Sequence, residues 1–127
     1  DRRRHLRGER PRHPRGVRPV MFPKPKQVRS GALRRSARGQ NCCLRLPFVC
    51  NFDPRTTVLC HLPGHARGMG TKEADMHAVY GCAACHAVID GRAKSSLGDA
   101  IILEAMLRAL SETQALMVEA GLITVKE

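Results

Sequence analysis

Two cysteines and a histidine occupy five consecutive positions in Cys82-Ala83-Ala84-Cys85-His86. A Cys-x-x-Cys pair on a tight turn points both sulfurs to one side, which is half of a tetrahedral metal site. The other half is available upstream, where Cys42 and Cys50 lie in a stretch bent by Pro47, with Cys43 able to stand in for Cys42. The two pairs together predict a structural Zn2+ site from Cys42, Cys50, Cys82 and Cys85. Buried free thiols or a disulfide are the alternatives. The same five residues also spell the attachment signature of a c-type haem. Covalent haem attachment requires export, though, and no secretory apolar segment is visible; haem would also leave Cys42 and Cys50 without a purpose. A thioredoxin-like redox pair would need a βαβ unit, and the sequence before Cys82 lacks that alternation.

A second chemistry is spelled by histidines. His61 ends the β-like stretch Thr56-Thr57-Val58-Leu59-Cys60-His61, a glycine-rich loop follows, and His86 lies at the start of a predicted helix. A strand histidine facing a helix that carries metal ligands is the ββα-metal arrangement. Phosphodiester hydrolysis needs a water stripped of its proton, and an imidazole, which ordinarily titrates at about 6.5, accepts that proton near neutral pH. It also needs positive charge on the phosphate, which Mg2+ or Mn2+ supplies. His86 is the candidate ligand for that cation, and Asp90, four residues on, shares its helical face. His65 and His77 read as loop residues, and Arg45, Arg67, Lys72 and Arg92 as solvated surface able to touch phosphate.

These residues must be positioned by a small body. Of 127 residues, the first 40 hold 14 Arg and Lys against Asp1 and Glu9, while the remaining 87 hold 8 basic and 9 acidic residues. The net charge of +11 therefore belongs to an arm. Residues 1–30 carry five of the eight prolines and no apolar period, a composition that forms no core and attracts phosphate backbones without reading sequence. A mitochondrial transit segment is disfavoured because Pro11, Pro14 and Pro19 interrupt any amphipathic helix. Met21 is the candidate native start, with residues 1–20 as upstream readthrough. Residues 31–127 are expected to be one α+β domain, small enough to need a metal staple.

Within it, residues 30–40 suggest a short basic helix ended by Gly39, and residues 76–81 a second strand or turn. Residues 99–120 suggest a long C-terminal helix, capped by Asp99 and Gly121, with a core stripe of Leu103, Met106, Leu107, Leu110, Gln114 and Met117. Residues 122–125 could add an edge strand. No run is long enough to span a membrane. With only four aromatics, base stacking is not the expected mode of recognition.

Residues 37–62, followed by Gly68-Met69-Gly70-Thr71-Lys72-Glu73-Ala74-Asp75 and Cys82–Arg92, resemble the small phage and prophage nucleases of the YbcO type. The likeness spans about residues 30–127 and excludes the arm. Its motifs are Cys-x7-Cys with an internal Arg-x-Pro, the following Asn, a Thr-x-Val-Leu-x-His strand and a Cys-x-x-Cys-His-x3-Asp helix. The resemblance implies a zinc-stabilised fold similar to HNH (His-Me finger) endonucleases, acting on DNA in the cytoplasm of a bacterial host. It places Cys42, Cys50, Cys82 and Cys85 at the zinc, His61 as general base and His86 near a catalytic cation. Asp75 falls about where the broader HNH pattern has its central Asn, where it would orient the base histidine or brace the loop. One departure stands out: many HNH enzymes have an acidic metal ligand immediately before the base histidine, and here that place is Cys60, a poor ligand for Mg2+. A zinc-stabilised DNA-binding or recombination accessory protein that has lost cleavage is therefore the alternative function.

Overall fold

The computed structural model describes residues 27–63 and 74–127. The arm up to residue 26, with Met21, and the loop carrying His65, Arg67 and Lys72 lie outside the described residues. What remains is an α+β unit with a two-stranded sheet, two short helices and one long one.

Ser30 opens helix α1 (Gly31–Ser36), its hydroxyl accepting from the Leu33 N–H at 3.3 Å. Leu33 and Ala37 turn into the core, and Gly39, at φ +76°, ends the turn as its sequence position suggests. An extended, bent segment then leads to a 3-10 turn at Pro54–Thr56, capped by Asp53. Strand β1 (Val58–His61) follows and pairs antiparallel with β2 (Ala78–Gly81), matching Val58 with Gly81 and His61 with Ala78. The chain passes through Cys82 directly into helix α2 (Ala83–Ile89), and helix α3 (Asp99–Glu119) covers β2.

All four residues of β2 are buried, because its two faces and its second edge are all occupied. On that second edge the Cys43 N–H donates to the Tyr80 carbonyl at 2.8 Å. Tyr80 is then tied twice more: its hydroxyl to Ser36 Oγ at 2.7 Å, and its N–H to Thr113 Oγ1 at 3.0 Å on α3. Gly81 must be glycine, since a Cβ there would stand 2.7 Å from Cys60 Sγ and 2.9 Å from a Leu44 methyl.

Helix α3 departs from the expected stripe. It packs through Ala105, Met106, Ala109, Thr113 and Met117, while Leu103 and Leu107 face outward, Leu107 at 69% exposure. Small residues let the helix approach β2 closely, so the buried face is the one with Ala and Thr rather than the one richest in leucine. Its N-cap is Gly98, with Asp99 in the first turn where a carboxylate meets the positive end of the helix. The C-terminus is a Schellman turn: Gly121, at φ +74°, donates to the Val118 carbonyl and Leu122 to Met117. Residues 122–125 fold back on that turn and form no strand. Among the described residues no helix is long and apolar enough to cross a membrane.

Candidate functional site

Two constellations sit at opposite ends of the β1–β2 ladder. At the Val58–Gly81 end, the Sγ atoms of Cys42, Cys50, Cys82 and Cys85 all lie within 4.8 Å of one another. Cys42 belongs to the group, and Cys43 does not. Neighbours on extended backbone point to opposite sides, and the thiol of Cys43 reaches Thr113 on α3 instead, where burial pushes it up. Backbone N–H groups converge on the sulfurs: Arg45 N on Cys42 Sγ at 3.4 Å, Cys85 N on Cys82 Sγ at 3.4 Å, and Phe52 N on Cys50. Aiming those amides requires tight turns, and both Arg45 (φ +41°) and Phe52 (φ +52°) are in the left-handed region.

The donor set fits a tetrahedral thiolate-binding ion. Zn–S bonds of about 2.3 Å place sulfurs roughly 3.8 Å apart, and Cys50 Sγ and Cys82 Sγ are separated by 3.8 Å. Hydrogen bonding from the Cys85 thiol pulls Cys42 down to about 4, whereas burial pushes Cys50 up to about 11. Four thiols this close share their protons unequally, and a divalent cation would take the place of those protons.

At the other end, Asp75 is 2% exposed and divides its two oxygens. Oδ1 is 2.8 Å from His61 Nε2; Oδ2 accepts from the Ser30 N–H at 2.6 Å and from Arg34 at 2.8 Å. The Asp75 N–H donates to the Val28 carbonyl, so the segment before α1 is strapped to the same residue. Burial opposes the charge on Asp75, but the Ser30 amide, His61 and Arg34 outweigh it and hold the carboxyl below its ordinary value. An ionised carboxylate only accepts, so His61 Nε2 carries the proton and donates, leaving Nδ1 as the free lone pair.

His86, one turn into α2, is half-buried and close enough to His61 to feel its charge. Burial lowers its pKa, favouring the neutral, ligand-competent ring. Its Nε2 is 3.5 Å from Asp90 Oδ2, but Asp90 is also gripped by Arg92, whose Nε lies 2.8 Å from the same oxygen. Among the described residues only the cysteine quartet brings three or more ligand atoms together; His86 and Asp90 offer two. Cys60 is fully buried, its thiol pushed up to about 12 by burial and facing the Val58 and Gly81 carbonyls, while His61 points to the other side of the strand.

Sequence reasoning missed the partners of Asp75 at Ser30 and Arg34. Forty-five and 41 residues separate them from it, and no local pattern signals such a contact.

A hairpin leading into a short helix, with four converging cysteines at one end and a part-buried His–Asp pair at the other, defines a small class of α+β protein. Residues 31–122 match the family described as "Putative nuclease YbcO", and the chain belongs to it. A relative of that name from Escherichia coli (strain K12) is 42% identical over 94 residues, covering 72% of this chain and 95% of the relative. One from Enterobacteria phage 82 has the same identity and coverage. A solved structure, "Structure of a putative bacteriophage protein from Escherichia coli str. K-12 substr. MG1655", superposes with a TM-score of 0.60 at 34% identity, over 71% of this chain and 100% of that one.

Proposed function

We propose that the protein is a metal-dependent endonuclease that hydrolyses DNA phosphodiester bonds, with His61 as general base. Family membership supports a nuclease function in general. The observation that carries the finer reading is the 2.8 Å bond from His61 to a carboxylate fixed by two other donors. Asp75 holds the ring in one tautomer and orientation, and Nδ1 takes the proton of an attacking water as it approaches phosphorus. The order strand, loop, strand, helix, with one histidine ending β1 and one on α2, supports an HNH-like, His-Me finger reading.

His86, with Asp90 as second ligand, would hold Mg2+ or Mn2+. The cation would neutralise charge building on the phosphate. Two protein ligands suit an ion that keeps several waters and takes substrate oxygens for the rest. Cys42, Cys50, Cys82 and Cys85 hold a structural Zn2+ that fixes the start of α2 and therefore His86. Residues 1–30 serve as a basic arm contacting phosphates, and 31–127 as the nuclease domain, in the cytoplasm of a bacterial host.

A second reading is favoured by two observations. Cys60, where many HNH enzymes have an acidic ligand, is buried and protonated, and Asp90 is engaged by Arg92. On that reading the protein is a zinc-stabilised DNA-binding or recombination accessory without cleavage. Plasmid nicking in Mg2+ or Mn2+ separates the two. Nicking lost in His61→Ala supports the enzyme, and nicking that survives at full rate removes His61 as base. No nicking at all, with salt-sensitive DNA binding retained, establishes the accessory reading.

A further inference from the structure

The turn that carries Cys50 also carries two aromatic side chains that the core does not use. Phe48 is 106% exposed and Phe52 73%, whereas Tyr80, the third described aromatic, is buried. Both phenylalanines have positive φ, +60° and +52°. Left-handed backbone is disfavoured for a bulky residue, and glycine meets the same need without strain. At Phe52 this backbone accompanies an N–H aimed at Cys50. The fold would thus be satisfied by glycine at these positions, yet each presents a phenyl ring to water. Nothing in the packing or backbone of the domain explains those rings.

The turn is also held firmly. Val49 and Cys50 both donate to the Leu46 carbonyl, and Asn51 bonds Thr56 Oγ1 and the Asp53 N–H. Thr56 Oγ1 in turn accepts from the Ala83 N–H, the first residue of α2. The rings are therefore presented from the end of the helix that carries His86. The segment that carries them is basic: residues 27–57 hold six arginines and one acid, Asp53, and Arg45 and Arg55 flank the two rings in sequence, each in a surface ion pair, with Glu112 and Asp53 respectively. Arg34, Arg35, Arg38, Arg45 and Arg55 are exposed. Rigid exposed aromatics interleaved with arginines match the chemistry of unpaired nucleic acid, whose bases offer π-faces and whose backbone is anionic. An intact duplex hides those faces and would leave the rings in water.

We propose that Phe48 and Phe52 form a stacking wedge for unpaired bases, so that the substrate is DNA already open at a gap, flap or branch. This rests on the nucleic-acid reading above and deepens it by naming a substrate class. It also revises the expectation that few aromatics exclude stacking: two suffice when both are exposed and fixed.

The test measures anisotropy of a labelled mixed-sequence DNA single strand, and of its duplex, against the full chain without divalent cation. The wild type should bind the single strand more tightly. Phe48→Gly combined with Phe52→Gly should weaken single-strand binding by about tenfold or more and leave duplex binding within about twofold. The melting temperature should hold or rise, because strain is relieved, which separates lost binding from lost folding. Phe48→Trp with Phe52→Trp should retain the single-strand preference. Equal binding of both DNAs, or glycine variants that bind like wild type, overturns the wedge. So does loss of self-association in sedimentation with DNA binding intact, or tighter, ring-dependent binding of the same sequence as RNA. Nicking by His61→Ala at wild-type rate alongside a ring-dependent single-strand preference would refute the catalytic reading and keep the wedge. Inactive His61→Ala beside ring-independent binding would do the reverse.

Discussion

The cysteine quartet and the His61–Asp75 pair stand at opposite ends of one short ladder, and they are held in opposite ways. The quartet draws on two local segments, residues 42–50 and 82–85, and each turn aims its own amides at its own sulfurs. The His–Asp pair has no such local scaffold. Its carboxylate is positioned by Ser30 and Arg34 at the start of α1, and its histidine is the last residue of β1, placed by pairing with Ala78. One end is thus made by turn geometry around a donor set that fits an ion, while the other is made by tertiary packing. On the function proposed above, the first end would govern whether the chain folds and the second what it does.

Removing metal should give the largest effect. Structural zinc contributes roughly 10 kcal/mol or more in small domains, comparable to the whole stability of about 5–15 kcal/mol. Chelation, or Cys82→Ser, should abolish the cooperative thermal transition by circular dichroism. Fewer than one zinc per chain in reduced, folded protein would break the comparison at this end. His61→Ala should lower the nicking rate by about 100-fold or more and cost only about 1 kcal/mol of stability, because the half-exposed ring is one of three partners of the Asp75 carboxylate.

Asp75→Asn should affect both measures by a moderate amount. An amide has one acceptor oxygen; if that oxygen accepts from the Ser30 amide and Arg34, the NH2 faces His61 and forces the ring into the other tautomer, so a loss of about 1–3 kcal/mol is expected. Because the Asp75 carboxyl is held below its ordinary value, its contribution is fully present above the unfolded pKa of about 3.9 and fades as pH falls through the lower folded value. The gap in melting temperature between wild type and Asp75→Asn should therefore close below that range. A gap constant with pH would refute the ionic account. The smallest effect belongs to Arg45→Gly. It loses an exposed bidentate pair with Glu112 but relieves φ +41°, so stability should change by less than about 1 kcal/mol.

The same contrast explains what could be read from the chain. The Cys-x-x-Cys pair, the strand before His61 and the Gly39 and Gly121 turns follow from residues within a few positions of one another. Whether Cys42 or Cys43 joins the quartet depends on which side of an extended segment meets β2, and only the Cys43–Tyr80 backbone bond settles it. Size and apolarity favour Leu103 and Leu107 as core residues, whereas close helix-on-strand packing selects Ala105, Ala109 and Thr113. Residues 122–125 have strand-like composition but follow a helix-ending turn that folds them back on α3. The roles of His61, His86, Asp75 and Asp90 rest on chemistry and resemblance, and the experiments above decide those of His61 and Asp75.

The divided carboxylate of Asp75 also sets a rule for how this position can drift. Its inner oxygen meets two donors, the Ser30 amide and Arg34, and only an acid can satisfy them while still accepting from His61. An amide becomes tolerable when the guanidinium at 34 is gone and the strap at residue 30 has turned elsewhere. Among family members, Asn at this site should therefore travel with loss of Arg at position 34. In such lineages the leading segment would be free to diverge without disturbing the histidine.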